Sequence, residues 1–566
     1  MKYFYGLTIG PIVKTILQVR ATRELWGASY LFSEMMKRIV GALEKEDELK
    51  ILSPSKQGPK KALGVGLYPD HLFVEGPEEG GTKIQTIIRE VLDGLSGELA
   101  DDIGNLGRAD MESRHADLKH FFRNYFQTYL VSLATDQDEI PIKDLQQLMH
   151  NAELSPPYQA QEMNGSDAFF YYLAAINQSS LKKGAFGQDT PEIASLPEIG
   201  IKELIHPKQE AACKEAAGNI VDIWRRNQSA ALQLEIKAQK TDNPTQKATL
   251  REAQRKAEPE QHLKLLAGDI RVQPYMRNYH KYVAIVYADG DNIGKTIGKL
   301  EANPDTYQAL SHDMLKFGEA AAERIKGYGG LPVYLGGDDL LFFAPVKILD
   351  RNIFSLSAEL DDLFREYIPE KDDNYPPSLS FGISISYHKF PLREALSKAH
   401  ELLDSRAKRF PFEDFPEKKK GEEAIKNTVS FRLLKHAGHE FGQSLPIRKS
   451  ACFPLFSNLL SASFDEGNKL LSSVVYKMSR SPELLDTIGE DEERLAHYFK
   501  ETFQKEVHQG AAARYLQQTR ALVLAAYQDA AKYAVLNPNI KKGKYARETI
   551  YSLLRTLQFL NQKYHD

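Results

Sequence analysis

One stretch near the middle of the chain, LPVYLGGDDLLFFAP (331–345), has few ways to fold. Two apolar arms flank Gly336-Gly337-Asp338-Asp339, a pattern that reads as two buried strands joined by a tight turn. Glycine accepts the positive φ that such a turn demands, and the turn then holds two adjacent carboxylates at the tip of a rigid sheet. The flanking sequence extends the pattern. HKYVAIVYADGDNIG reads as a buried strand ending in a polar turn, and Pro304 to Ile325 as a long amphipathic helix. Asp350 to Phe364 reads as a helix, SLSFGISISY as a strand and PLREALSKAHELLDSRAK as a helix. Strand, helix, strand, strand, helix, strand is the order of an α+β, ferredoxin-like sheet.

The N-terminus carries a second, weaker copy. Residues 3 to 9 read as a strand, and Gly10-Pro11 leads into an apolar-periodic helix running to about Leu43. ALGVGLYPDHLFVEG reads as a hairpin around Pro69-Asp70, and TKIQTIIREVLDGL is helical in period. From about 100 to 265 the pattern is mostly helical, and the charged stretch from Gln239 to Gln261 reads as a solvated helix face or linker. After the charged turn PEKKKGEE and a strand at Asn427 to Phe431, the remainder to Asp566 is helical. The expected organisation is therefore a first ferredoxin-like unit (1–100), a helical intervening region (101–270), a second ferredoxin-like unit (271–432) and a C-terminal helical bundle (433–566). At 566 residues the chain exceeds what one core supports, and 42% hydrophobic content gives ample surface to bury.

Composition excludes several classes. Lys and Arg number 73 against 77 Asp and Glu, a net charge of −4, so the chain is not uniformly coated in basic charge for nucleic acid, although local patches remain open. Two cysteines, Cys213 and Cys452, build neither a disulfide framework nor a four-cysteine zinc site, so no zinc is expected. No apolar run approaches 18 residues and the N-terminus lacks a secretory core, which points to a cytoplasmic protein with no membrane partner.

The acidic turns carry the chemistry. Adjacent carboxylates repel unless a cation neutralises them, and oxygen-rich acidic sites suit Mg²⁺ or Mn²⁺ bound together with nucleotide phosphates. Ala288-Asp289-Gly290-Asp291-Asn292 ends the first strand of the same unit, beside the central hairpin, so Asp289 can share metals with Asp338 and Asp339. The alternative for either turn alone is ordinary turn chemistry. Gly290 to Thr296 also approaches a phosphate-binding loop, with Lys295 in the lysine position, but it is one residue short. Backbone amides at Gly290, Asp291 and Asn292 could still touch a phosphate at the helix start.

ADGDNIG, LGGDDLLFFAP and GISISYHKFPLREALSKAHELLDSRAK, in that order and spacing, resemble the second palm domain of the large subunit of type III CRISPR effector complexes, of the Cmr type. IGPIVKTILQVRATRELWGASYLFSEM resembles the first palm of the same family. The resemblance implies two palm domains, the second making a signalling nucleotide from ATP when the complex binds target RNA. Carried over by position, Asp289, Asp338 and Asp339 would hold the metals, Gly336 and Gly337 would shape the turn, and Lys408 would contact phosphate. His388 matches the family pattern too, with a structural histidine as the alternative. The first palm has Tyr68-Pro69-Asp70-His71 where the second has its acidic pair, so it is expected to be degenerate and to complete the nucleotide pocket, with Asp70 nearby. The chain opens with the first-palm strand, where many relatives carry an HD-type nuclease, so DNA cleavage is not expected.

Relatives mostly join ATP to ATP and make cyclic oligoadenylates, while some Cmr-type members join ATP to S-adenosylmethionine; the motifs fit both. The implied partners are the other subunits of the ribonucleoprotein, guide RNA and target RNA. Two other readings stay open: a catalytically silent scaffold, and a P-loop-like ATPase. Lys541, Lys542, Lys544 and Arg547 form a basic run that either touches RNA phosphates or is a solvated loop.

Overall fold

The computed structural model describes the chain apart from residues 17–18, 20, 56–57, 59–60, 106–114, 137–139, 155–178, 188–192, 239–243, 295–296, 298–303, 369–375, 413–423, 436–437, 463–466, 481, 504–510 and 565–566. The first unit is a four-stranded sheet of β1 (Lys2–Gly10), β2 (Lys50–Ser53), β3 (His71–Gly76) and β4 (Gln127–Thr135), in the order β2-β3-β1-β4. The helix expected from Gly10 to Leu43 is two helices, Ile12–Ile16 and Thr22–Leu43. Strand β4 comes from the region read as helical, and pairs antiparallel with β1 along its whole length.

The hairpin expected between Leu63 and Glu75 does not form. Only its second arm is a strand, β3, and it pairs with β1 and β2 rather than with the first arm. The first arm crosses to the second unit, where Gly66 bridges Tyr334 in parallel and its carbonyl accepts the Leu335 N–H at 2.9 Å. Val65 and Leu67 are buried in that unit's core.

The second unit contains β5 (Tyr282–Asp291), β6 (Leu331–Gly336), β7 (Asp339–Pro345), the short pair β8 (Lys347–Ile348) and β9 (Arg351–Asn352), β10 (Ser378–Tyr387) and β11 (Thr428–Leu434). Its sheet runs β11-β10-β5-β7-β6, so the strands of the βαββαβ repeat lie in the order last, first, third, second. Along β5 the side chains alternate between two cores. Ala284, Val286 and Ala288 pack with the helices Pro304–Gly327 and Ile353–Tyr367, whereas Val283 and Ile285 share a core with Trp26, Leu31 and Met35 of the first unit. The two units are therefore packed face against helix, which opens a cleft between them.

Among the described residues the C-terminal region is mostly helical from Cys452 onward, but it begins with β12 (Glu440–Phe441) and β13 (Ser444–Pro446), which pair with β11. Among the described residues no helix is long and apolar enough to cross a membrane.

Glu203, in the turn after the helix Leu196–Gly200, ties the intervening region to the second unit. Its carboxylate accepts from the Tyr279 hydroxyl (2.6 Å), the His280 Nε2 (3.0 Å) and the Leu349 amide (2.8 Å). Nδ1 of His280 accepts the Arg277 N–H at 3.0 Å, which leaves the ring proton on Nε2, facing Glu203. Glu203→Ala strands three buried donors, and urea unfolding should show a loss of about 3 kcal/mol. Burial pushes the Glu203 pKa up, but the bonds from His280 and Tyr279 outweigh it and hold the carboxyl below its ordinary value. The stabilisation is therefore complete above the unfolded carboxyl's pKa, and the gap between wild type and variant should close as the pH falls through the lower folded value.

Candidate active site

Strand pairing brings the two acidic turns together. Ala288 lies opposite Leu340 in the β5–β7 ladder, and the Gly290 N–H donates to the Asp338 carbonyl at 3.2 Å. Gly336 pairs with Asp339 across a two-residue turn, with Gly337 at φ 67°. Glycine at the first central position gives a turn whose twist matches that of the strands. Gly336 is needed for a different reason: a Cβ there would strike the Tyr334 ring.

Like charges are thereby held close. The Asp289 carboxylate pairs with the Lys408 ammonium, and although burial works against the lysine's charge, Asp289 keeps its pKa raised. Burial and then the charge of Asp289 push the Asp338 carboxyl up to about 7. Asp339 is raised well above the ordinary value by the surrounding protein, then by Asp338, Asp289 and Asp70. Its tip still reaches solvent within the cleft, so it remains accessible to a solute.

Asp289 and Asp339 line a cavity of about 300 Å³ between the two units. Asp70 of the first unit joins them at its acidic end, while Ile12, Ile16, Phe32 and Leu396 form an apolar wall. Among the described residues no three acidic or histidine side chains close into a ready cation cage, and Lys408 supplies the positive charge at Asp289. The donor chemistry nevertheless fits a hard divalent ion: carboxylate oxygens, crowded together, two of them with their protonated form favoured for want of countercharge.

Asp291, expected from the sequence among the nucleotide-binding residues, is buried instead. Its Oδ2 accepts from Ser378 (3.0 Å), Ser380 (2.8 Å) and the Asn427 amide (2.8 Å), because the ends of β10 and β11 offer donors on that side. Asn292 adopts φ 66° and donates its side-chain amide to the Pro376 carbonyl at 3.3 Å, a turn-forming role. His388 is buried with Nδ1 on the Lys281 carbonyl at 3.1 Å, and burial pushes its pKa down to about 4; it is a structural histidine. Of the basic run, Lys542 pairs with Glu490, Arg547 with Asp486 and Lys544 with Glu548. Two cavity-lining residues were not anticipated, His400 and Asp404. Their only sequence signal is a His and an Asp four apart on a helix, and that spacing does not say which way they face.

Two apposed ferredoxin-like units with an acidic hairpin in the cleft define a tandem-palm protein. Residues 282–414 match the family described as Cas10/Cmr2, second palm domain, and residues 4–88 match CRISPR-associated protein Cmr2, N-terminal. Over these two segments the chain is similar to Cas10/Cmr2 proteins. It is 28% identical over 186 residues to the CRISPR system Cmr subunit Cmr2 of Pyrococcus furiosus, an alignment covering 28% of this chain and 19% of that protein. The matched part thus spans about a fifth of the curated relative. Among solved structures, the type III-B Cmr-beta complex bound to cognate target RNA contains a chain with TM-score 0.52 and 12% identity, covering 99% of this chain and 83% of that one. Its apo state gives 0.48, 12%, 91% and 77%. At such identity the likeness concerns the fold.

An acid whose pKa is raised on folding makes stability fall as the pH rises from its unfolded value, about 3.9, toward its folded one. Asp338→Asn should therefore raise the melting temperature in metal-free buffer, by an amount that grows up to about pH 7 and then levels off. Millimolar Mg²⁺ should narrow the difference. A variant no more stable than wild type at pH 8 would show that the carboxylates do not repel as described.

Proposed function

We propose that this chain is a subunit of an RNA-guided type III CRISPR complex and a metal-dependent nucleotidyltransferase that transfers AMP from ATP to an acceptor hydroxyl. The observation that carries the reading is the convergence of Asp289 and Asp339, from two separate turns, on one cleft lined also by the first unit, with Asp338 beside them and within reach of the Asp289 charge. Asp289, Asp338 and Asp339 would hold Mg²⁺ or Mn²⁺, which neutralises phosphate charge and stabilises the leaving pyrophosphate. The chain's own residues do the rest. The β6–β7 turn fixes the carboxylates, Lys408 holds Asp289 in place and lies where a phosphate oxygen would be met, and the apolar wall excludes water and receives a base. The product is a cyclic oligoadenylate or a conjugate of ATP with S-adenosylmethionine, and the protein works in the cytoplasm beside guide and target RNA.

The P-loop reading loses support from the Gly290 N–H, which is already committed to the Asp338 carbonyl. Lys295 and Thr296 lie outside the described residues. The scaffold reading is disfavoured by the intact acidic turns. With the basic run 541–547 largely paired internally, RNA contact there is also disfavoured, and neutralising it should leave the salt dependence of RNA binding unchanged.

Mass spectrometry of products formed by the target-bound complex, with ATP alone and with added S-adenosylmethionine, identifies the acceptor. Asp338→Ala with Asp339→Ala should abolish synthesis while complex assembly and RNA binding persist. Wild-type synthesis by that double variant would remove the site assignment, and no turnover of ATP with either acceptor would leave the scaffold.

A further inference from the structure

The helix Leu392–Glu401 does not end where the cleft begins; it widens into a π-turn, Leu402–Arg406, and then a short 3₁₀ turn, Ala407–Arg409. It lies flush on β10 because Gly382 has no side chain: a Cβ there would sit 2.1 Å from the Ala399 carbonyl oxygen and 2.4 Å from the Leu403 nitrogen. Wide turns of this kind recur at functional sites, since they re-aim the side chains around them. Here His400, Leu403 and Asp404 line the cavity, and Lys408, one turn further, reaches Asp289.

The His400 and Asp404 pair has the form of an oriented base. Nδ1 of His400 lies 3.3 Å from an Asp404 carboxylate oxygen, which favours the tautomer with its proton on Nδ1 and its lone pair on Nε2. The ring stands edge-on to Tyr287, with centroids 5.5 Å apart and planes at 87°. Tyr287 and Asp289 point to the same side of β5, two residues and roughly 7 Å apart. The imidazole therefore lines the same cavity as Asp289 and Asp339, on the Tyr287 side of it. Among the described residues lining the cavity His400 is the only imidazole. The acids Asp70, Asp289 and Asp339 and the phenols Tyr68, Tyr287 and Tyr334 share the space. Asp289 is engaged with Lys408, and burial drives the Tyr287 and Tyr334 phenols far above neutral pH.

We propose that His400 is the general base of this cleft, taking the proton from the acceptor hydroxyl, with Asp404 as its positioning residue; the assignment rests on the nucleotidyltransferase reading. The acceptor oxygen gives its proton to Nε2 and bonds to the α-phosphorus of ATP. The bond from that phosphorus to the bridging oxygen breaks, and pyrophosphate leaves with the electron pair. Asp404 stabilises the imidazolium until its proton passes to solvent, to which the ring is more than half open (60%).

The test compares wild type, His400→Gln and Asp404→Asn in the target-bound complex with ATP and Mg²⁺. His400→Gln should lower kcat about 100-fold, with KM for ATP and the melting temperature unchanged. Asp404→Asn should lower kcat less, again with KM for ATP unchanged, as expected of a residue that only orients the imidazole. A His400→Gln rate within threefold of wild type, or a raised KM with kcat retained, overturns the proposal. Asp338→Asn with Asp339→Asn separates the two levels: synthesis that survives it overturns the site reading itself, whatever His400 does.

Discussion

Everything in the cleft depends on the antiparallel pairing of β5 with β7. Left to themselves, Asp289 and Asp338 would move apart, because two carboxylates in a water-poor setting repel strongly. Backbone hydrogen bonds along the ladder, from Val283 opposite Pro345 to Ala288 opposite Leu340, do not yield to that repulsion. The sheet is itself anchored by two cores, one on each face. Burial, with that repulsion added to it, therefore appears as raised proton affinity at Asp338 and Asp339, and the repulsion is met by the ion pair drawn from Lys408, not by a change of fold. A divalent ion bound there, as proposed above, would relieve a repulsion that the scaffold does not release by moving.

The second unit was legible in the sequence because its signals are local. A Gly-Gly turn between apolar arms, and strands and helices of ordinary length, need no knowledge of distant partners. The first unit was harder. Strand β2 has four residues, too few to show a period, and β4 is a half-exposed strand whose pattern is blurred between helix and strand. The segment 63–68 has strand-like composition, yet its partner is the edge of another unit, a pairing that periodicity does not reveal.

The site was legible to the same degree. Asp289, Asp338 and Asp339 could be placed from turn chemistry, and Asp70 from the pseudo-symmetry of the two units. Asp291 could not be told from Asp289, because both sit in one acidic turn. Only the register of β10 and the arrival of β11 turn Asp291 toward serines and away from the cleft. His400 and Asp404 were hidden for a related reason: which face of a helix meets a cavity depends on how closely the strand beneath lets it approach, and at Gly382 that is decided by the absence of one atom group.

The crossing of Gly66 to the edge of β6 has a bearing on how such a chain can change over evolutionary time. An uncovered outer strand invites pairing with other chains, and here the cover is lent by the half that lacks the acidic pair. Deleting that half would leave β6 open along its outer side as well as stripping one wall from the cavity. The first unit thus serves the second as a selvedge, the woven border that keeps cloth from fraying.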